Sequence, residues 1–345
     1  MRETFVKLVI QIPCLNESQQ LADVLADLPR AVEGIDEIEV LIVDDGSTDG
    51  TSDRAAELGV HHIVRFPTNR GLSAAFLAGI DAALRLGADV IVNTDADNQY
   101  KGQDIARLVA PVVQGRADIV VGDRQTDTVA HFSFFKRLLQ RWGSRVVRGA
   151  SGTVVRDATS GFRAHSRRAA LGLFVHNRFS YTVETIVQAG RSGLTFENVV
   201  IGTNPQTRES RLFKGIAQYL KRNGPVILRA YGMYRPVQTF AYVALSFLAV
   251  GLGLVGRFIY FYLQEPARSG HTQSLTVGVG CVVLACLIGV VAMLSDLLAA
   301  NRRLLEELLA RARRLDAQLA REALRRNEPL DGVRSTRAPP WRPAR

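Results

Sequence analysis

The sequence predicts an α/β domain on a mostly parallel sheet, followed by a membrane hairpin and a charged helix. Three observations carry this reading. Short β-branched runs alternate with helical patterns over residues 6–122, two later segments of 20 and 21 residues lack any charge, and basic residues flank both. At 345 residues the chain has room for about two structural units at ~150 residues each. Apolar residues make up 47% and charged residues 22%, with three cysteines, Cys14, Cys281 and Cys286, which excludes disordered, collagen-like and disulfide-stapled classes. Six histidines, at 61, 62, 131, 165, 176 and 271, lack zinc-ligand spacing, so any metal is expected on oxygen. The opening MRETFVKLVIQIPCLNE has too short an apolar run for a signal peptide.

Strands are expected at 6–12 (VKLVIQI), 38–43 (IEVLIV), 60–66, 89–93 (DVIVN) and 118–122 (DIVVG), with helices at 18–30, 50–58, 71–86 and 102–115. Strands that alternate with helices imply parallel pairing with both faces covered, and ligands then bind at the carboxyl ends of the strands. Those ends are polar: Asn16 and Glu17 after the first strand, Asp44 and Asp45 after the second, Asp95 and Asp97 after the fourth, Asp123 and Arg124 after the fifth. Turn and cap roles suit any one of these junctions. Four together point to a site.

Val237–Gly256 and Leu275–Ser295 are each long enough to cross ~30 Å of hydrocarbon. The expected hairpin occupies 236–298, with spans near 237–260 and 274–297. Phe258, Tyr260, Phe261 and Tyr262 supply an interfacial aromatic belt. Lys214, Lys221, Arg222, Arg229 and Arg235 precede the first span and Arg302, Arg303, Arg311, Arg313 and Arg314 follow the second, which puts both termini and the 1–210 domain in the cytoplasm of an integral cell-membrane protein. Between them, 211–235 has Leu212, Phe213, Ile216, Tyr219 and Leu220 at helical spacing among basic residues, the pattern of an interfacial amphipathic helix.

Beyond the hairpin, Leu298, Asn301, Leu305, Leu308, Ala312, Leu315 and Leu319 recur at steps of three and four. This is a heptad seam in a cytoplasmic helix over 299–327, and it implies a homo-oligomer unless the helix packs on its own catalytic domain. Residues 328–345 hold four prolines and few apolar side chains, and read as a disordered basic tail. The net charge of +10 is concentrated here, since 301–345 has 12 Arg against 6 acids. Its place after two apolar segments favours an anionic membrane surface, and without interleaved aromatic platforms no nucleic-acid partner is expected.

In chain order, PCLNE (13–17), VDDGSTDGT (43–51), NRGLSAAFLAGIDAAL (69–84), DADNQY (95–100), VVGDR (120–124) and ATSGFRAHSRRA (158–169) resemble the family 2 glycosyltransferases of GT-A fold. More narrowly they resemble the dolichol- or polyprenyl-phosphate mannose synthase branch and its two-span glucosyltransferase relatives. The match covers about residues 6–214. The resemblance implies a Rossmann-like GT-A domain in which Pro13, Asn16, Glu17, Asp44 and Asp45 hold base and ribose. Asp95, Asp97 and Gln99 match a DxDxQ pattern that ligates Mg²⁺ or Mn²⁺, hard cations suited to oxygen donors. Family members often show DADGQH where this chain has DADNQY; the ligand positions remain.

A polyprenyl phosphate is already an anionic nucleophile, so a phosphate clamp matters more than a general base. Arg124 matches the family's acceptor-phosphate arginine, with Arg137 or Arg141 and Ser144 as further contacts; spacing does not choose between the two arginines. Ser160, Gly161, Phe162 and Arg163 resemble the acceptor-side loop, and Arg208, Arg211 and Lys214 are placed to close over donor diphosphate or lipid phosphate. As catalytic residues, Asp95, Asp97 and Arg124 are expected to support inverting hexose transfer from GDP-mannose or a UDP-hexose or N-acetylhexosamine to polyprenyl phosphate. The alternatives are a family 2 transferase with another lipid or glycan acceptor, served by Asp123 or Glu184 as base, and a non-catalytic scaffold that senses nucleotide sugar.

Overall fold

The computed structural model describes residues 5–125, 153, 155–175, 181–204, 236–264, 272–336 and 338–343. Eight strands form one sheet: β1 Lys7–Cys14, β2 Glu37–Asp44, β3 His62–Arg65, β4 Val90–Asn93, β5 Ile119–Asp123, β6 Arg163–Ser166, β7 Phe196–Val200 and β8 Arg334–Ser335. Their order is β7-β5-β6-β4-β1-β2-β3-β8. β1 pairs parallel with β2 and β4, β2 with β3, and β5 with β7. β6 lies antiparallel between β4 and β5, and β8 antiparallel on β3. All eight residues of β2 are buried, which explains the unbroken apolar stretch Val40–Val43 within it.

The helices of this unit are α1 Leu21–Asp27, α2 Thr51–Glu57, α3 Leu72–Arg85, α4 Ile105–Val113, α5 Arg167–Gly172 and α6 Thr182–Arg191. Each sheet face has its own core. Ile10, Ile12 and Val40 pack with Leu21, Leu25, Leu108 and Val109 on one side, while Val9, Leu41 and Ile91 pack with Phe76, Ile80, Leu171 and Tyr181 on the other. The five strands and four helices expected over residues 6–122 are present. β6 escapes the sequence pattern because RAHS offers no apolar run; its place is set by backbone pairing on both sides.

Two helices, α7 Pro236–Gln264 and α8 Thr272–Arg325, are long and apolar enough to cross a membrane, with mean hydropathy of 1.9 and 2.8 in their best windows. They touch through glycines: a Cβ on Gly251 would meet Val282 Cγ2 at 2.8 Å and Gly278 O at 2.9 Å. Small residues let backbones approach this closely where no hydrophobic drive exists between helices. The amphipathic segment 211–235 lies outside the described residues.

Two compact units make up the chain, Met1–Arg222 with Glu306–Arg345, and Asn223–Leu305. The C-terminal expectations are corrected here. The helix over 299–327 is not a separate element but the continuation of α8, and its later turns pack in the first unit through Ala317 and Ala320. Arg313 Nε donates to Asp81 Oδ1 at 2.6 Å, and its Nη1 to Leu173 O.

Within the expected disordered tail over 328–345, residues 328–336 and 338–343 are placed against the domain rather than disordered. Thr336 N donates to His61 O at 2.8 Å, Ile38 N donates to Trp341 O at 2.8 Å and Trp341 N donates back to Ile38 O at 3.0 Å. The Arg30 guanidinium sits 3.8 Å from the centre of the Trp341 ring, and Arg342 Nη2 reaches Glu37 Oε2 at 2.8 Å. Composition misses this because a sheet edge supplies backbone partners to any extended segment, prolines included where their missing N–H faces away.

Candidate functional site

The site is built where β4 and β5 end. Beyond β4 the chain turns through Asp95, Asp97 and Gln99, with Asn98 in the left-handed region at φ 55° and Gln99 N donating to Asp97 Oδ1 at 3.2 Å. Tyr100 returns to the core, stacks on Phe162 at 4.9 Å, and its hydroxyl accepts from Gly161 N at 3.2 Å. From β4 itself, Asn93 Nδ2 donates to Gly161 O at 2.9 Å and to the Tyr181 hydroxyl at 2.9 Å. Gly161 is thus held on both sides of its peptide. It is glycine for a steric reason, since a Cβ there would sit 3.1 and 3.2 Å from the Asp95 carboxylate oxygens and 3.0 Å from Tyr181 Oη.

After β5, Arg124 is gripped by a carboxylate the sequence reading passed over. Its Nε donates to Asp157 Oδ2 at 2.7 Å and its Nη2 to Asp157 Oδ1 at 3.1 Å and Thr159 Oγ1 at 2.8 Å. Asp157 also accepts from Thr159 N and Ser160 N, so one buried side chain organises both the arginine and the 157–160 turn. Asp157 immediately precedes the ATSGFR motif, so an Asp three residues before a Ser-Gly pair was the available signal. Arg163, expected at the acceptor loop, is 1% exposed and faces inward: it donates to Ser160 O, Ala158 O, Thr182 O and Thr185 Oγ1. It pins the loop from behind, and its guanidinium is spent on those acceptors. Ser160 and Phe162 are buried beside it.

The electrostatics follow from this crowding. Burial, followed by the Asp97 charge, lifts the Asp95 carboxyl to about 7 against the pull of Arg124 and Arg163. Burial raises Asp157 too, but hydrogen bonds and charge from Arg124 outweigh it and leave Asp157 below the usual carboxylate range. Tyr100 is pushed up by burial and by Asp95, so it stays protonated.

The nucleotide-side residues form a second cluster, where the β1–α1 and β2–α2 loops interlock. Asn16, exposed and at φ 56°, accepts from Thr48 N at 2.9 Å, and its own N–H donates to Ser47 Oγ at 2.9 Å. Glu17 N donates to Thr51 Oγ1 at 3.0 Å, and Pro13 is buried within β1. Asp44, 0% exposed, accepts from Ser47 N at 2.8 Å and from Ser52 Oγ. Asp45 takes Arg70 N at 2.7 Å and Gly71 N at 2.9 Å, closing the turn into α3. Both aspartates therefore shape the loops with their oxygens already in use. Arg137, Arg141, Ser144, Arg208, Arg211 and Lys214 lie outside the described residues. The stretch leading toward Arg208 runs beside the acidic turn, with Asn204 N donating to Gln99 O at 2.9 Å.

The family model described as Glycosyl transferase family 2 matches residues 9–174. The undecaprenyl-phosphate mannosyltransferase of Micrococcus luteus is 31% identical over 59% of this chain and 87% of that protein. This chain belongs to glycosyl transferase family 2. The polyprenol monophosphomannose synthase of Mycolicibacterium smegmatis is another relative, 34% identical over 48% of this chain and 64% of its own length. Among solved structures, glucosyl-3-phosphoglycerate synthase from Mycobacterium tuberculosis, crystallised with Mn²⁺, UDP-glucose and phosphoglyceric acid, aligns at 22% identity with a TM-score of 0.48, over 64% of this chain and 80% of that one.

As a family 2 member, the chain is related to polyprenyl-phosphate sugar transferases. Its acidic turn fits a hard divalent cation by donor chemistry. Two carboxylates and an amide oxygen come from one turn, and burial together with the Asp97 charge, which lift Asp95, are what a cation would offset. Among the described residues no group of three His, Cys, Asp or Glu converges.

Proposed function

We propose that this protein transfers one hexose from a nucleotide sugar to a polyprenyl phosphate at the cytoplasmic face of the cell membrane, with inversion. The observation that carries the reading is the cluster in which Gly161, Asp95, Tyr100, Arg124 and Asp157 are locked together at the ends of β4 and β5. A lipid-phosphate oxygen forms the new bond to the anomeric carbon as the bond to the nucleoside diphosphate breaks, and the bonding pair leaves with the diphosphate. No proton need move, because the acceptor is already ionised.

Asp95, Asp97 and Gln99 would hold Mg²⁺ or Mn²⁺, which when bound offsets the charge of the departing diphosphate. Arg124, held in a fixed plane by Asp157, presents its remaining N–H to the acceptor phosphate. Arg137 or Arg141, with Ser144, would complete that clamp, and Arg208, Arg211 and Lys214 would close over the phosphates. The β1–α1 and β2–α2 loops shaped by Asn16, Asp44 and Asp45 would receive the base and ribose. Catalytic domain and both termini face the cytoplasm, and the reading includes a homo-oligomer carried by the heptad in α8.

A phosphate acceptor is supported further by the state of Asp157. A hydroxyl acceptor needs a base, and the carboxylate nearest Arg124 is tied into an ion pair that lowers its basicity. The test is incubation with Mg²⁺ or Mn²⁺, a short polyprenyl phosphate and a panel of GDP- and UDP-sugars, with GDP-mannose first because both named relatives are mannose transferases by name. Lipid-linked sugar from one donor is the expected result. Donor hydrolysis without lipid product would sink the acceptor assignment, and silence across the panel would sink the transfer itself.

A further inference from the structure

Past its apolar stretch, α8 shows two different faces. With Leu305 taken as heptad position a, positions b and f hold Arg313, Ala317 and Ala320, the residues packed into the first unit. Positions a and d hold Leu305, Leu308, Ala312, Leu315 and Leu319, position g holds Leu304, Arg311 and Gln318, and the five leucines among them are 57–66% exposed. Packing on its own domain, one of the two readings of the heptad, is thus realised on one face of the helix. Among the described residues, its own domain takes the b/f face and leaves the seam leucines exposed.

Lipid is a poor cover for this stripe. Arg303, Glu307, Arg311, Arg314 and Asp316 are interleaved with the leucines, a density of charge that hydrocarbon does not accept. We propose that the stripe is the seam of a parallel two-stranded coiled coil with a second copy of this chain. It extends the self-association in the proposed reading and is independent of the transfer chemistry.

Charge complementarity selects both the occupant and its direction. In a parallel pair each g position faces the e position five residues on in the other strand. That sets Arg311 against Asp316 of the second copy, twice by symmetry, and Leu304 against Leu309 of the second copy, so ionic and apolar flanks both match. An antiparallel pair that aligns the same leucines, Leu305 with Leu315 and Leu308 with Ala312, would bring the two Arg311 side chains together. Arg311 and Asp316 are exposed in the protomer, where they hold in-chain partners, Glu307 at 2.6 Å and Arg85 at 3.5 Å, surface pairs that exchange at little cost. Asn301, polar on an otherwise apolar seam, penalises slipped registers.

The experiment uses the full chain in lipid nanodiscs and in detergent, with mass measured by light scattering. Twice the 37.8 kDa protomer mass is expected for the protein component. Leu308→Glu with Leu315→Glu should weaken association more than about tenfold while the circular-dichroism spectrum of the protomer stays unchanged, since these side chains are exposed in the protomer. Arg311→Glu and Asp316→Arg should each weaken it about threefold, and the two together should restore it. Ala312→Cys should give an oxidised dimer, because a positions face each other only in a parallel pair. A protomer mass for the wild type would overturn self-association. A charge-swapped double variant no better than its parents, or no Ala312→Cys cross-link, would overturn the parallel arrangement. Loss of anionic-vesicle binding by the leucine variants at unchanged mass would assign the stripe to a membrane surface instead.

Discussion

Asp157 holds Arg124 through two parallel hydrogen bonds, Nε to Oδ2 at 2.7 Å and Nη2 to Oδ1 at 3.1 Å. The fork fixes the guanidinium plane and leaves the carboxylate buried, so removing either partner strands the other. Asp157→Asn is expected to cost on the order of 3 kcal/mol in urea unfolding. It should also raise KM for the lipid phosphate more than KM for the nucleotide sugar. Equal effects on both substrates would mean that Asp157 only stabilises the turn. Arg124→Ala should weaken use of the phosphate lipid in the same selective way.

Asp97→Ala is expected to abolish transfer and to remove the stabilisation that added Mn²⁺ or Mg²⁺ gives in a thermal melt. The melt separates a lost cation site from a lost chemical step. Near-normal turnover in this variant would remove the metal assignment.

Gly161→Ala places a methyl group 3.0 Å from Tyr181 Oη and just over 3 Å from the Asp95 carboxylate, so one of them must yield by a few tenths of an ångström. Tyr181 is buried and stacked on Phe76 at 3.9 Å, which leaves Asp95 as the group that moves. Turnover should fall at least about tenfold with little change in unfolding midpoint, because positioning errors well under an ångström already cost rate. A variant with full activity would show that Asp95 needs no such placement.

The C-terminal strap should loosen in acid. Val40 N donates to His61 Nδ1 at 3.0 Å, which leaves Nε2 to carry the proton toward Pro339 O at 3.0 Å, so the ring fits only as the neutral tautomer. Burial depresses the His61 pKa below 6.5, opposed by Pro339 O and Glu39 and assisted by His62 and Lys7. A depressed pKa contributes stability that is complete above the unfolded value and is lost as pH falls below it, here downward from 6.5. Glu39 is raised by burial but brought to about 2 by His62 and Lys7, so its own contribution fades only between 4.5 and about 2. Amide exchange at 334–341, corrected for intrinsic rates, should quicken below pH 6.5 by up to about tenfold per pH unit. His61→Gln should flatten that dependence, and an unaltered slope in the variant would assign it to another group.

The sheet was legible because the inner stretches of β1, β2, β4 and β5 are buried on both faces and so are mostly apolar, a pattern that composition displays directly. The acidic turn was legible because Asp95 and Asp97 sit where strand ends point. What escaped depends on partners distant in sequence. Arg163 reads as a free cation until Thr182 and Thr185 are seen around it, and Asp157 as an ordinary turn residue until Arg124 arrives from β5. The same holds for Trp341, whose neighbours Arg30, Ile38 and His61 lie some three hundred residues earlier. Local composition records none of these meetings.

The pairing of β8 with β3 has a consequence for biogenesis. Until residues 334–341 leave the ribosome, after both apolar helices have been made, the nascent sheet presents the open backbone of His62–Arg65 to its surroundings. An unpaired edge of this kind templates association with any extended chain. The vulnerable interval during synthesis thus lasts until the strap is in place, and premature termination between α8 and Arg334 would yield a product that is nearly full length yet keeps this edge open to aggregation.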